Sequence, residues 1–117
     1  RQMCIRDRYT TKAFDEEHLI PYMKNSVFKR WNDDFADINS VKTSKLVGIN
    51  EIIHKLGIDI NDTISFGDSE NDLEMIKGTG ASVAMANAMP IIKEAATYIT
   101  LDCDESGAAH FIENYLL

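Results

Sequence analysis

The 117-residue chain contains no run of 18 apolar residues and no charged-then-apolar leader. The patterns of a membrane-spanning helix and of a secretory signal are therefore missing, and the cytoplasm is the expected compartment. Cysteine is scarce: Cys4 and Cys103 have neither CxxC spacing nor a nearby ligand partner, so zinc and dithiol chemistry find no support and both are expected as free thiols. Basic charge is scarce as well. Twelve scattered Lys and Arg stand against 19 Asp and Glu, a net charge of −7, whereas nucleic acid is bound by clustered cations. Nucleic acid and membrane partners are both unexpected. The three histidines, His18, His54 and His110, are far apart in sequence, each in an expected helix with a polar neighbour, and are expected on the surface. Internal repeats and low-complexity segments are also missing.

What is present suffices for one globular core: 44% of the residues are hydrophobic. The opening RQMCIRDR follows neither the helical nor the strand period, and four of its eight residues are charged. It resembles adapter sequence left at the start of translated assemblies, so residues 1–8 are expected to be a non-native leader. From Ser44 the pattern becomes regular. Leu46, Ile49, Ile53 and Leu56 recur at steps of three and four before Gly57, the mark of an amphipathic helix with a glycine stop. Residues 63–66 read as a short buried strand, 69–77 as a helix stopped by Gly78, 81–85 as a strand, 90–96 as a helix opened by Pro90, and 98–100 as a strand. Ala108, Phe111, Ile112 and Tyr115 give an apolar face to a closing helix. Such alternation predicts an α/β fold, a Rossmann-like parallel sheet with flanking helices over residues 41–117.

Residues 9–40 lack this rhythm. A helix over 15–25, despite Pro21, and two strands over 26–31 and 35–39 joined by the polar turn Asn32-Asp33-Asp34 are expected, forming the tail of a smaller α+β domain.

The chemistry gathers at TISFGDSENDLEM, residues 63–75, where Asp68 and Asp72 flank the passage from strand to helix. Ligands of open parallel sheets bind beyond the carboxyl ends of the strands, and a helix start offers free N–H groups suited to phosphate. Mg²⁺ takes one or two carboxylates plus water and substrate phosphate, which Asp68 and Asp72 satisfy as residue types. A second reading competes, because Ser69-x-x-Asp72 also matches a capping box, and taken alone Asp72 reads as a cap. Lys45 bears on the choice. A cation in the first helical turn opposes the macrodipole, so it is either a solvated lysine or the partner of carboxylates and a phosphoryl group on the same side of the sheet.

Lys45, Gly67-Asp68-Ser69-Glu70-Asn71-Asp72 and Val83-Ala84-Met85-Ala86-Asn87-Ala88 together resemble the C-terminal part of a haloacid dehalogenase superfamily phosphatase, closest to the Cof-type, subclass IIB sugar-phosphatase-like branch. The resemblance implies that residues 41–117 are the C-terminal half of the core and residues 9–40 the end of its cap. It implies Mg²⁺ at Asp68 and Asp72, with Asp72 orienting Lys45 or a metal-bound water. It further implies Lys45 and Asn71 in the catalytic shell, phosphate contacts from Lys45, Asn71 and Asn87, and a small phosphorylated metabolite, a sugar phosphate or a phosphorylated cofactor, as substrate.

Three departures matter. Leu46 and Ala86 stand where the family usually has glycine, and the family's N-terminal Asp-x-Asp-x-Thr nucleophile motif does not occur. The nearest approach, Asp102-Cys103-Asp104-Glu105-Ser106, reads as an acidic turn before the closing helix. The chain is therefore expected to be a C-terminal fragment that is inactive alone. The alternatives are a non-catalytic phosphate- or Mg²⁺-binding module acting with a partner chain, or the phosphorylation domain of a cation pump. The pump would call for membrane helices soon after the VAM segment, where the chain has FIENYLL.

Overall fold

A computed structural model describes residues 7–9, 11–30 and 35–117. Cys4, most of the leader segment, Trp31 and the turn Asn32-Asp33-Asp34 lie outside the described residues. The chain divides into two compact units, Arg1–Ser44 and Lys45–Leu117.

The first unit is a three-stranded antiparallel sheet in the order β1-β3-β2, with β1 Asp7–Tyr9, β2 Ser26–Arg30 and β3 Phe35–Ser40. Asp7 and Arg8, the end of the segment set apart in sequence, pair with Asp37 and Ala36. β2 and β3 pair from Ser26↔Ser40 to Arg30↔Ala36, the hairpin expected from their sequence. The helix expected over 15–25 is instead α1, Lys12–His18, followed by a separate 3-10 turn, Ile20–Tyr22. Pro21 explains the break: it has no N–H to give to an α-helical carbonyl, and the chain leaves helical values at Leu19, with φ −120° and ψ −49°, before the tighter turn.

The second unit is the expected α/β core. Three parallel strands, β4 Ile64–Gly67, β5 Ala81–Ala84 and β6 Tyr98–Ile99, lie in that order. Between and around them run α2 Lys45–Leu56, α3 Leu73–Gly78, α4 Pro90–Ala95 and α5 Gly107–Phe111. Ile76 of α3 and Ile92 of α4 close over Ala84, Met85 and Ala88 on one face of the sheet. Fully burying each such isoleucine contributes about 1.5–3 kcal/mol. Phe111 of α5 sits with Phe66 and Tyr98, its ring centroid 5.8 and 5.6 Å from theirs.

The structure corrects the pattern reading in three places. In β4 the polar Ser65 is buried while Ile64 and Phe66 are half-buried. Its hydroxyl is satisfied 2.6 Å from Thr79 Oγ1, as a buried polar atom must be. In α2 no residue is buried, and Leu56, placed on the inner face by periodicity, is exposed. After Phe111 the closing helix loosens into a π-helical turn, Ile112–Leu116, where Ile112 and Tyr115 are exposed although the Tyr115 ring still stacks on Phe111 at 4.9 Å. His18, His54 and His110 lie at the surface, as expected, and Cys103 is a free thiol, also as expected. Among the described residues no helix is long and apolar enough to cross a membrane.

Two glycines test this packing in opposite directions. A Cβ on Gly80 would collide with the Asn61 backbone, whereas one on Gly48, in the exposed middle of α2, would meet nothing within 4 Å. Gly48→Ala is therefore expected to stabilise the protein by about 0.5–1 kcal/mol. Gly80→Ala should cost about 1–3 kcal/mol. Urea unfolding of both variants checks the signs.

Candidate active site

The site residues gather at the carboxyl end of β4. The chain leaves the strand at Gly67, turns through Asp68 and Ser69, makes the 3-10 turn Glu70–Asp72 and continues directly into α3. The helix expected from residue 69 thus begins with a tighter turn, and the regular helix starts at Leu73.

Asp72 closes this loop from beneath. Its Oδ2 accepts the backbone N–H of Asp68 at 3.0 Å and of Ser69 at 3.2 Å, and its Oδ1 accepts from the Lys45 ammonium. The capping arrangement read from the sequence is formed, and Lys45 joins it. Capping and ion pairing are performed by the two oxygens of one carboxylate. Close approach makes this possible: a Cβ on Gly67 would stand 2.7 Å from Asp72 Cβ and 3.1 Å from Oδ2, so only glycine leaves room for the buried carboxylate. Burial works against the charge of Asp72, but the hydrogen bond from Lys45 and those from the Asp68 and Ser69 amides outweigh it and hold the carboxyl below its ordinary value of 3.8.

Asp68 is half-buried and differently placed. Its Oδ1 accepts from the Ser69 hydroxyl at 3.1 Å, and among the described residues its other oxygen has no protein partner. That free carboxylate edge at a strand terminus is what a hard cation requires. Asn71 is half-buried, and its side-chain amide has no hydrogen bond among the described residues. Lys45 opens α2, with its side chain half exposed and the remaining protons of its ammonium unspent.

Asn87 is exposed on the turn after β5, where its Oδ1 accepts the Cys103 N–H at 3.2 Å. Two backbone bonds join the turns at this end of the sheet: Met89 N–H donates to Asp68 O at 2.9 Å, and Ala86 N–H to Leu101 O at 3.2 Å. Sequence reasoning missed these cross-links, and no local signal marks them. Asp102–Ser106 forms the expected turn, with a 3-10 stretch over Cys103–Glu105 that is capped by Asp102. The Cys103 thiol donates to Asp102, whose carboxylate pushes the thiol up, away from nucleophilic character.

A family model described as haloacid dehalogenase-like hydrolase matches residues 2–112. The chain belongs to the haloacid dehalogenase-like hydrolases. It is 38% identical over 81 residues to a 5-amino-6-(5-phospho-D-ribitylamino)uracil phosphatase of Bacillus subtilis, an alignment covering 69% of this chain and 32% of that protein. Its structure matches that of a subclass IIB sugar phosphatase with a TM-score of 0.84 at 33% identity, over 93% of this chain and 42% of the other. A structure from work on a trigonal-bipyramidal intermediate in a phosphoryl-transfer superfamily matches with a TM-score of 0.88 at 31% identity, over 98% and 44%. The resemblance carried by Lys45, residues 67–72 and residues 83–88 is thereby borne out, and it points to the subclass IIB branch. The chain spans about a third of the length of two Bacillus subtilis relatives, 95% of one from Geobacillus stearothermophilus, and less than half of the structural matches.

The depressed titration of Asp72 fixes the sign of a pH effect. Its folded value lies below the unfolded one, so its contribution to stability is complete above the ordinary carboxylate range and is lost as pH falls through the folded value. Asp72→Asn should cost about 1–3 kcal/mol at neutral pH, the cost of leaving charged and amide donors badly paired. The gap between variant and parent should narrow as acid is added below the ordinary carboxylate value of 3.8, which thermal unfolding across that range measures.

Proposed function

We propose that this chain is the carboxyl-terminal part of a Mg²⁺-dependent phosphatase of small phosphorylated metabolites, and that it does not turn over alone. The observation that carries the reading is the division of labour between the two aspartates. Both oxygens of Asp72 accept from protein donors, whereas Asp68, on the same loop, keeps a carboxylate edge with no partner among the described residues.

In this reading Asp68 holds Mg²⁺, which when bound supplies charge neutralisation at the phosphoryl oxygens. Asp72 serves as a positioning residue in place of a direct ligand, because its oxygens already accept three hydrogen bonds and a cation there would face the Lys45 ammonium. Lys45 donates to a phosphoryl oxygen and to the attacking carboxylate, and the unengaged amide of Asn71 donates to a second phosphoryl oxygen. Asn87 has its carbonyl oxygen committed to Cys103, which leaves its nitrogen to serve the phosphate. The nucleophile is an aspartate on a segment preceding this chain: it forms an aspartyl phosphate as the alcohol leaves, and water then attacks the phosphorus to release phosphate.

Two features of the core support a larger whole. Among the described residues β4 is paired only on its β5 side, leaving a strand edge that folded proteins normally cover or blunt. Val47, Ile52 and Leu56 of α2 are exposed, and so is Ile58 just beyond it. Such surface is suited to burial under further chain. The first unit is read as the end of the cap, and the substrates as sugar phosphates or phosphorylated cofactors, in keeping with what the relatives are named for.

In the intact protein, Asp68→Asn and Lys45→Ala are each expected to lower Mg²⁺-dependent hydrolysis of p-nitrophenyl phosphate by about 10²–10³-fold or more. Circular dichroism should change little. Parental turnover by either variant sinks the assignment.

A further inference from the structure

Lys45 opens a helix that meets the core through the half-buried Leu46, Ile49 and Ile53. α2 has no buried residue, and Val47, Ile52 and Leu56 face solvent, yet the Lys45 ammonium meets one oxygen of a carboxylate that is itself held by two backbone amides. A long side chain at a helix end would sample many positions unless the first turn is anchored.

The anchor is next to it. Leu46 is half-buried, and its branched end lies against the bare Cα of Gly78: a methyl group on Gly78 would stand 2.7 Å from Leu46 Cδ1 and 3.1 Å from Cγ, and closer still to Cδ2. Only a hydrogen atom fits between them. Gly78 ends α3, and Asp72 is the residue from which α3 starts. The two contacts of α2's first turn, ammonium to carboxylate and isobutyl group to notch, thus fall on the two ends of one short helix, about 9 Å apart at 1.5 Å per residue.

We infer that Leu46 is a positioning residue: seated in the notch at Gly78, it fixes the first turn of α2 against α3 and so sets where the Lys45 ammonium is presented. The departure from glycine at this position is then compensated, because the bulk added at Leu46 is accommodated by the missing side chain at Gly78. The catalytic consequence rests on the proposed role of Lys45 at a phosphoryl group; the contact and its effect on the ammonium do not.

The test uses the intact protein with ¹⁵N-labelled lysine. The Lys45 ammonium resonance is assigned by its loss in Lys45→Met and followed in Gly78→Ala, Leu46→Ala and the double variant, alongside kcat and KM for p-nitrophenyl phosphate with Mg²⁺. Gly78→Ala meets only the flexible end of a side chain and gains helix propensity, so it is expected to fold. Each single variant should shift or exchange-broaden the Lys45 resonance and lower kcat about 10- to 100-fold, the scale of a displaced catalytic group. The double variant should be no worse than Gly78→Ala alone, since an alanine at position 46 does not reach the notch. An unchanged Lys45 resonance in folded Gly78→Ala and Leu46→Ala, even with a lowered melting temperature, overturns the inference. Should the parent lack phosphatase activity, the functional reading falls while the resonance still decides this one.

Discussion

The arrangement of the core's working end depends on the carboxylate of Asp72. It lies in a cavity that only Gly67 leaves open, and it accepts from the Lys45 ammonium and from the amides of Asp68 and Ser69. A buried carboxylate without donors would neutralise or drive the loop open, because desolvation opposes its charge. Supplied with three, it becomes a fixed point. The same atoms that end a strand and begin a helix also determine where Asp68 points and where α2 begins relative to α3.

This constraint reaches across the sheet. Asp68 O accepts from Met89, just before α4, and the turn after β5 is joined to the β6–α5 connection through Ala86–Leu101 and Asn87–Cys103. Turns at strand ends are ordinarily the softest parts of an α/β fold. Here each is hydrogen-bonded to its neighbour, above a core in which Val83, Ala84 and Ile92 are fully buried. Rigid placement of a few polar groups is what a site for transferring a charged group requires.

Much of this was legible in the sequence, and the legible part is local. The alternation of β-branched runs with amphipathic segments gave the strand and helix order of the second unit, the glycines gave the helix ends, and Ser69-x-x-Asp72 gave the cap. Lys45 at a helix start was legible as an anomaly, because a cation there opposes the helix dipole. What could not be read depends on contacts between distant residues or on competition within a helix. Pro21 divided α1 from the following turn, and a π-helical turn replaced the regular winding from Ile112. The burial of Ser65 depends on Thr79, fourteen residues later, and the seat of Leu46 on Gly78. Neither pairing leaves a period or a spacing for sequence analysis to find.

The asymmetry of the Lys45–Asp72 pair separates a structural tie from a site. The Asp72 side chain is 6% exposed and that of Lys45 49%. A pair built for stability alone gains most when both charges are enclosed and every donor and acceptor is used, and even then an apolar replacement is often as stable. In this pair the anion is enclosed and bonded at both oxygens while the cation is left half open, with one of its protons given to Asp72. An ammonium held by one carboxylate and facing solvent on its other side is placed to receive a second anion, without the reorganisation that a free lysine would need. On the loop that Asp72 caps, one oxygen of Asp68 and the side-chain amide of Asn71 have no partner among the described residues, one suited to a cation and the other to an anion's oxygen. In the proposed reading, a cation at Asp68 and donors from Lys45 and Asn71 would form the electrostatic complement of a metal-bound phosphoryl group, whose own charge would complete the pairing that the folded chain leaves open.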